Sequence, residues 1–177
     1  VLSSLSDAHK SLLLFGGLGS LGLFISSCMQ SERYEPMILT GRSGKVTCSE
    51  VDEKLLQLQN GGNTLVFSRV DVTSTDETSS CNFSSFASPF LTAIHASGVL
   101  IDSSILSTDL DKIRQVFSPK ASGIQNVQRV CEGFALQAEV AFSSFSAVLG
   151  SPGQCSYTAA NAYMDAYVST MSSYGMQ

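Results

Sequence analysis

The stretch "SLLLFGGLGSLG", residues 11–22, decides how the fold is read. It opens as a short apolar run over 11–15 that stops at glycine, the pattern of a buried strand. Gly17, Gly19 and Gly22 then fit G-x-G-x-x-G, and a helical pattern follows over 21–29. Strand, glycine turn and helix form the context in which that motif has physical meaning. The glycines let the backbone come close to a pyrophosphate, and the helix start offers it free N–H groups and a positive dipole end. Gly17, Leu18, Gly19, Leu21 and Gly22 are therefore candidate dinucleotide-binding positions. A competing reading is a glycine-rich turn that only packs the helix close to the sheet. A third takes the apolar run from Leu12 to Cys28 as a signal or membrane segment. That run falls short of the ~20 residues a bilayer span needs, and only Lys10 lies close before it as a basic flank, so no membrane role is expected.

Outward from this stretch, short apolar runs alternate with helical ones. Strands are expected at 11–15, 37–40, 64–70, 91–95 and 139–142, and helices at 21–29, 50–59, 110–134 and 156–171. Such alternation implies an α/β fold, a doubly wound parallel sheet with helices on both faces. The Ser- and Gly-rich stretches "SGKVTCSE", "NGGN" and "TSTDETSS" read as loops inside one domain spanning 1–177. The chain has 177 residues, 44% hydrophobic and 14% charged, enough for a single core. A net charge of −5 excludes the basic stripe that a nucleic-acid surface needs. Cys28, Cys48, Cys81, Cys131 and Cys155 form no C-x-x-C pair and are odd in number, so reduced thiols and a cytoplasmic setting are expected. No metal site is expected. Because the chain begins at Val1, it is expected to be a segment of something longer.

The end of the second strand selects between dinucleotides. An NAD site usually places Asp or Glu there for the ribose hydroxyls. The stretch "MILTGRSGK", residues 37–45, has no acid and instead supplies Arg42, Ser43 and Lys45. A guanidinium there suits a 2′-phosphate, which favours NADPH; the alternative is a solvated turn arginine. Asp71 and Val72 close the third strand, where a carboxylate and its neighbour can hold an adenine.

A second stretch, "CSYTAANAYMD" at 155–165, contains a tyrosine followed four residues later by Asn161. A tyrosine titrates near 10, so Tyr157 can serve as an acid only with a cation at hand to favour its anion. None stands at the adjacent turn of its helix.

The segments "FGGLGSLG", "LTGRSG", "DVTSTD", "IHASGVLID", "SPKASG" and "FSSFSAVLGSPGQCSYTAANAYMDA" together resemble the ketoreductase domain of polyketide synthases. These domains belong to the short-chain dehydrogenase/reductase superfamily, and the ketoreductase of animal-type fatty acid synthase is similar. The resemblance runs through nearly the whole chain in order and implies a Rossmann-like sheet. It also implies where the cation lies. In these ketoreductases an asparagine follows the tyrosine, and the lysine comes from the preceding helix, 24 residues before the serine. Counting back from Ser144 gives Lys120.

The implied roles are consistent with the residue types. Tyr157 protonates the substrate oxygen as a general acid, and Ser144, 13 residues before it, hydrogen-bonds the carbonyl. Lys120 stabilises the tyrosinate and holds the nicotinamide ribose. Asn161, one helical turn from Tyr157, shares a water relay with it. Ala96, Ser97 and Gly98 form the ribose wall, with Lys120 and Tyr157 also touching the cofactor. Taken singly, each of the four catalytic candidates reads as packing, a cap or a solvated group. Four at these spacings read as a site. His95 reads as a structural hydrogen-bonder.

The sequence departs from the family pattern at several places. Phe15 stands where the family has threonine, so its ring either crowds the phosphate loop or packs beneath it. The family's His-Ala-Ala-Gly is His95-Ala96-Ser97-Gly98. In the family a further strand and a lid follow the tyrosine helix, and a partner subdomain precedes the whole. The chain stops at Gln177, where that helix would end, so the C-terminal strand and lid are expected to be missing. The resemblance implies NADPH-dependent reduction of a β-ketoacyl group carried as a phosphopantetheine thioester by an acyl carrier protein, alongside neighbouring synthase domains, and a possible dimer. A non-catalytic module and a stand-alone reductase of small carbonyls are the alternatives. In the family, Leu-Asp-Asp often accompanies the D-alcohol and a tryptophan eight residues before the tyrosine the L-alcohol; with Leu100-Ile101-Asp102 and Leu149 at those places, the resemblance tilts the expected product toward the D-alcohol.

Overall fold

The structure, a computed structural model, describes residues 10–32, 34–46, 58, 62–81 and 90–173. Five parallel strands form one sheet in the order β3-β2-β1-β4-β5. They are β1 (Lys10–Phe15), β2 (Tyr34–Gly41), β3 (Leu65–Arg69), β4 (Phe90–His95) and β5 (Ala135–Ala141). The helices are α1 (Ser20–Cys28), α2 (Thr75–Ser80), α3 (Leu110–Cys131), α4 (Ser146–Leu149) and α5 (Cys155–Ser173). The strand order reverses between β1 and β4, and a crevice forms at such a switch point beyond the strands' C-terminal ends.

Side-chain alternation on β1 shows how the sheet is covered on both faces. Leu12 and Leu14 pack on one face with Leu23 and Ile25 of α1, and with Met37, Leu39 and Ile94. Leu13 and Phe15 pack on the other with Val127 and Cys131 of α3, and with Ile38 and Ala93. A strand buried on both faces reads as an unbroken apolar run, as 11–15 does. Phe15 is fully buried in the second cluster, so its ring lies beneath the phosphate loop and does not crowd it. The former membrane candidate is thus a strand, a turn and a helix. No helix among the described residues is long and apolar enough to cross a membrane.

Three local expectations are corrected. Residues 73–80, read as a loop, contain α2. Ser74 caps it by accepting a hydrogen bond from the Glu77 N–H at 3.2 Å. This is the serine–x–x–glutamate start signal, masked by the surrounding serines and threonines. The long helix ends at Cys131, short of 134, and β5 begins at Ala135, four residues before the expected start. Gly133 and the polar residues on β5 hid that boundary. The short α4 was not expected. The helix expected at 50–59 lies outside the described residues except for Leu58, which is helical and buried.

Candidate active site

The glycine turn joins β1 to α1 and needs glycine for two separate reasons. Gly16 has φ +82, and a Cβ there would lie 2.7 Å from the Ser97 nitrogen. Backbone from the β4 exit therefore passes directly against it. At Gly22 a Cβ would lie 2.4 Å from the Gly16 carbonyl oxygen, so only glycine lets α1 dock onto the turn. Gly16 falls outside the motif read from the sequence, although its position directly after the strand was a usable signal. Gly17 is buried beneath the turn, where a Cβ would lie 2.9 Å from that of Leu39. It packs against β2 and does not line the cleft. Gly19 is the N-cap of α1, with no side-chain capping bond and no acidic residue in the first turn. That helix start therefore keeps its N–H groups and positive dipole end available to an anion.

A cleft of about 370 Å³ opens above this turn. Leu18, Gly19, Leu21 and Gly22 form its floor, and Arg42 and Ser43 stand at the β2 exit. Asp71 and Val72 come from the β3 exit, and Ala96, Ser97 and Gly98 from the β4 exit. Eleven of the expected cofactor positions thus converge on one cavity. Lys45 and Thr73 join them, with Pro119 of α3 opposite. Asp71 is held in its turn by the Thr73 N–H and hydroxyl, at 2.9 and 2.8 Å. Arg42 is exposed, and its carbonyl accepts from Arg69 Nε at 3.2 Å. Arg69 thereby sits against Arg42, while only Arg42 of the two lines the cleft.

These features fit a dinucleotide. The turn has no room for added side chains, the helix start takes a pyrophosphate, and the β2 exit presents cations without a carboxylate.

A smaller cavity of about 200 Å³ shares Leu21, Ala96, Gly98 and Val99 with the cleft and continues it. Lys120 from α3 and Tyr157 from α5 both line it, with Leu100, Phe142 and Ser143. Lys120 is 4% exposed, and its ammonium donates a short hydrogen bond to the Phe142 carbonyl. Burial lowers its pKa to about 8, against the opposing pull of the Asp165 carboxylate on α5. Opposite it, a Cβ on Gly98 would lie 3.3 Å from Lys120 Cε, so the lysine stem runs close along that glycine.

Asn161 and Ser144 are placed differently from expectation. Asn161 is fully buried and donates from Nδ2 to the Tyr157 carbonyl at 2.8 Å. It does not line the cavity beside Tyr157. Its Oδ1 is buried without a hydrogen-bond partner among the described residues. Ser144 lies behind the cavity wall, where Ser143 is the lining residue. The Ser144 Oγ accepts from the Ser146 N–H at 3.2 Å and from the Ser146 hydroxyl at 2.9 Å. With both acceptor sites used, its own O–H remains for donation.

The wall residues Leu100, Phe142, Ser143 and Pro119 were not singled out in the sequence. Each lies inside a segment that carries the family resemblance, and Leu100 was read there only for product configuration.

Fold and site together define a dinucleotide-binding α/β protein whose lysine and tyrosine come from two different helices. Comparison with known proteins makes this specific. A family model for the KR domain matches residues 11–177. The chain is 35% identical over 158 residues to polyketide synthase PksN of Bacillus subtilis, an alignment covering 88% of this chain and 3% of that protein. An N-terminal ketoreductase from a macrolactin assembly line superposes with a TM-score of 0.84 at 29% identity, covering 97% of this chain and 35% of the solved one. The ketoreductase PlmKR1, from the first module of phoslactomycin biosynthesis in Streptomyces sp. HK803, gives 0.85 at 26% identity over 95% of this chain and 39% of its own. The chain belongs to the KR domain family, the ketoreductase domains of polyketide synthases within the short-chain dehydrogenase/reductase superfamily. It spans a small fraction of the curated relative's length and little more than a third of the solved chains.

Proposed function

We propose that this chain carries out NADPH-dependent reduction of a β-ketoacyl thioester to the β-hydroxyacyl thioester. On this reading the substrate rides on the phosphopantetheine of an acyl carrier protein within a polyketide assembly, among neighbouring synthase domains. The observation that supports it best is the meeting of Lys120 and Tyr157 in one cavity continuous with the glycine-loop cleft.

The nucleotide half of the mechanism is recognition. The α1 start and the glycine turn hold the pyrophosphate, Arg42 with Ser43 takes the 2′-phosphate, and Asp71 with Val72 receives the adenine. Ala96, Ser97 and Gly98 line the nicotinamide ribose, whose hydroxyls Lys120 can bond. When bound, NADPH supplies the hydride that reaches the β-carbon.

The remaining steps belong to the chain's own groups. Ser144, whose O–H is free but which stands behind the cavity wall, would orient the substrate carbonyl only once its hydroxyl turns into the cavity. The Tyr157 hydroxyl gives its proton to the oxygen as negative charge develops there. The Lys120 ammonium, kept from water, favours the tyrosinate that remains. Asn161, which does not line the cavity, donates to the Tyr157 carbonyl and so holds the helix turn that carries the tyrosine. The exposed apolar side chains of Phe145, Val148 and Leu149, which follow the cavity residue Ser143 in sequence, suit an acyl chain.

The deciding assay follows NADPH oxidation by the full-length protein with an acetoacetyl thioester, carrier-bound and as the N-acetylcysteamine thioester. Turnover with preference for the carrier-bound form is expected. No turnover with either substrate would overturn the reading in favour of a non-catalytic module. Titrating both cofactors against Arg42→Ala completes the test. The wild type should favour NADPH, and the variant should lose about tenfold or more of that preference. Equal affinities in the wild type would remove the role given to Arg42.

A further inference from the structure

His95, at the end of β4, is fully buried and lines none of the cavities described above. Its Nε2 lies 2.9 Å from the Pro119 carbonyl oxygen. A carbonyl only accepts, so Nε2 carries the proton, and Nδ1 is left buried without a hydrogen-bond partner among the described residues. Pro119 stands inside α3 immediately before Lys120. On the next turn of that helix, a Cβ on Gly123 would come within 3.0 Å of His95 Cε1 and 3.2 Å of Nε2. The helix is therefore seated against the imidazole on both sides of Lys120.

The connection closes on itself. The His95 carbonyl accepts from the Phe142 N–H at 2.9 Å, and the Phe142 carbonyl in turn accepts from the Lys120 ammonium. From the His95 ring through Pro119 and Lys120 to Phe142, and back to the His95 backbone, the circuit joins β4, α3 and the β5 exit. Every link is a covalent bond or a hydrogen bond.

We infer that His95 is a positioning residue: a neutral Nε2–H imidazole that holds the Lys120 turn of α3 at the height and angle from which the ammonium reaches the tyrosine's cavity. This inference rests on the reductase reading. The charged and titratable groups around it are few. Asp165 on α5 acts on Lys120 and favours its charged form. Tyr157 on α5 shares its cavity, the β5 exit contributes the Phe142 carbonyl, and β4 contributes His95. Burial first, and the Lys120 charge second, keep the imidazole neutral, with a pKa of about 4. A second cation beside the ammonium is thereby avoided at any working pH.

The experiment compares His95→Met, which keeps bulk and loses the donor, with His95→Gln, which keeps a donor at similar reach. Both are made in the full-length protein and assayed with NADPH and the N-acetylcysteamine acetoacetyl thioester across pH. His95→Met should lower kcat at least about tenfold and move the basic limb of the reductive profile upward by about half a unit or more, since a displaced ammonium favours tyrosinate less. Affinity for 2′,5′-ADP, which reports the adenine end alone, should stay within about twofold. His95→Gln should recover kcat to within about threefold.

A wild-type profile for His95→Met, or equal damage in Met and Gln variants, would overturn the inference. If His95→Met does not fold, Gly123→Ala decides. Its Cβ pushes the helix off the intact ring and should give the same upward shift, and a wild-type profile in that variant would count against the circuit. Lys120→Met separates the two levels. If it too leaves the profile untouched, the reductase chemistry is at fault; if it moves the limb and His95→Met does not, only the positioning role fails.

Discussion

Strands β1 and β5 both pair in parallel with β4, one on either side, yet their surroundings differ completely. From Ser11 to Phe15, β1 is buried at every residue, whereas β5 has no residue in the buried class and leaves Val140 41% exposed. The difference follows from neighbours. β1 has β2 and β4 beside it and helices on both faces, while β5 stands at the sheet edge. The half around β1 is thus a closed core against which the glycine turn packs without room for a side chain at Gly16, Gly17 or Gly22. The half around β5 presents an open rim, with Phe145 and Val148 after it in solvent. On the proposed reading, the first half would hold the cofactor and the second would meet the substrate.

The largest expected effect tests whether the open half carries the chemistry at all. Tyr157→Phe should reduce kcat for a β-ketoacyl thioester by about a hundred- to ten-thousandfold while NADPH still binds. A variant retaining most of its turnover would move the proton source elsewhere.

Next comes packing. Leu13→Ala on β1 should lower unfolding free energy by about 3 kcal/mol, since it empties space in a closed core. The matching change on β5, Val140→Ala, should cost under about 1 kcal/mol. Denaturant titration of both reads the ratio directly, and comparable losses would mean that the β5 edge is covered in solution.

The glycines repeat the contrast. Gly22→Ala must displace α1 from the Gly16 carbonyl, and is expected to cost about 2 kcal/mol and weaken NADPH binding about tenfold. Gly133, in the turn before β5, has nothing within 4 Å of its added Cβ. Gly133→Ala should change stability by no more than about half a kcal/mol.

The last effect has the opposite sign. The folded protein holds an ammonium that burial penalises, so Lys120→Met should raise stability near neutral pH by about 1–2 kcal/mol while strongly lowering turnover. Lys120 has a folded pKa of about 8 against 10.5 for the free side chain. Between those values the unfolded chain holds the proton and the folded one does not, so wild-type stability rises with pH across that window. The gain of Lys120→Met should therefore be full below pH 8 and fade as pH approaches 10.5. Thermal melts at several pH values check it, and a gain that grows with pH would refute the buried-cation account.

Much of this molecule was legible because periodicity and glycine spacing are local. The apolar run at 11–15, the turn that follows it and the long helix from 110 all express short-range rules, and all five expected strands are present. The missed elements were those whose signals were blended with others. The cap at Ser74 sat among five further serines and threonines over 73–80, and the start of β5 was obscured by the polar residues Gln137 and Glu139. The site divided in the same way. Arg42, Asp71 and the β4 exit residues are reached by reading strand ends, because every parallel strand delivers its C-terminus to one crevice. The pairing of Lys120 with Tyr157, 37 positions apart, came from family resemblance and from no local rule.

The sequence by itself determined the alternation of strand and helix, the glycine turn and the cationic β2 exit, since each rests on interactions within a few residues. Only the tertiary structure decided that Gly16 is the strained position, that Phe15 lies beneath the turn, that Gly17 and Ser144 stand back from the cavity, and that His95 braces the Lys120 helix. Those placements depend on which backbone passes within three ångströms of another. Such distances are set when separate elements pack, and no window of the sequence contains them.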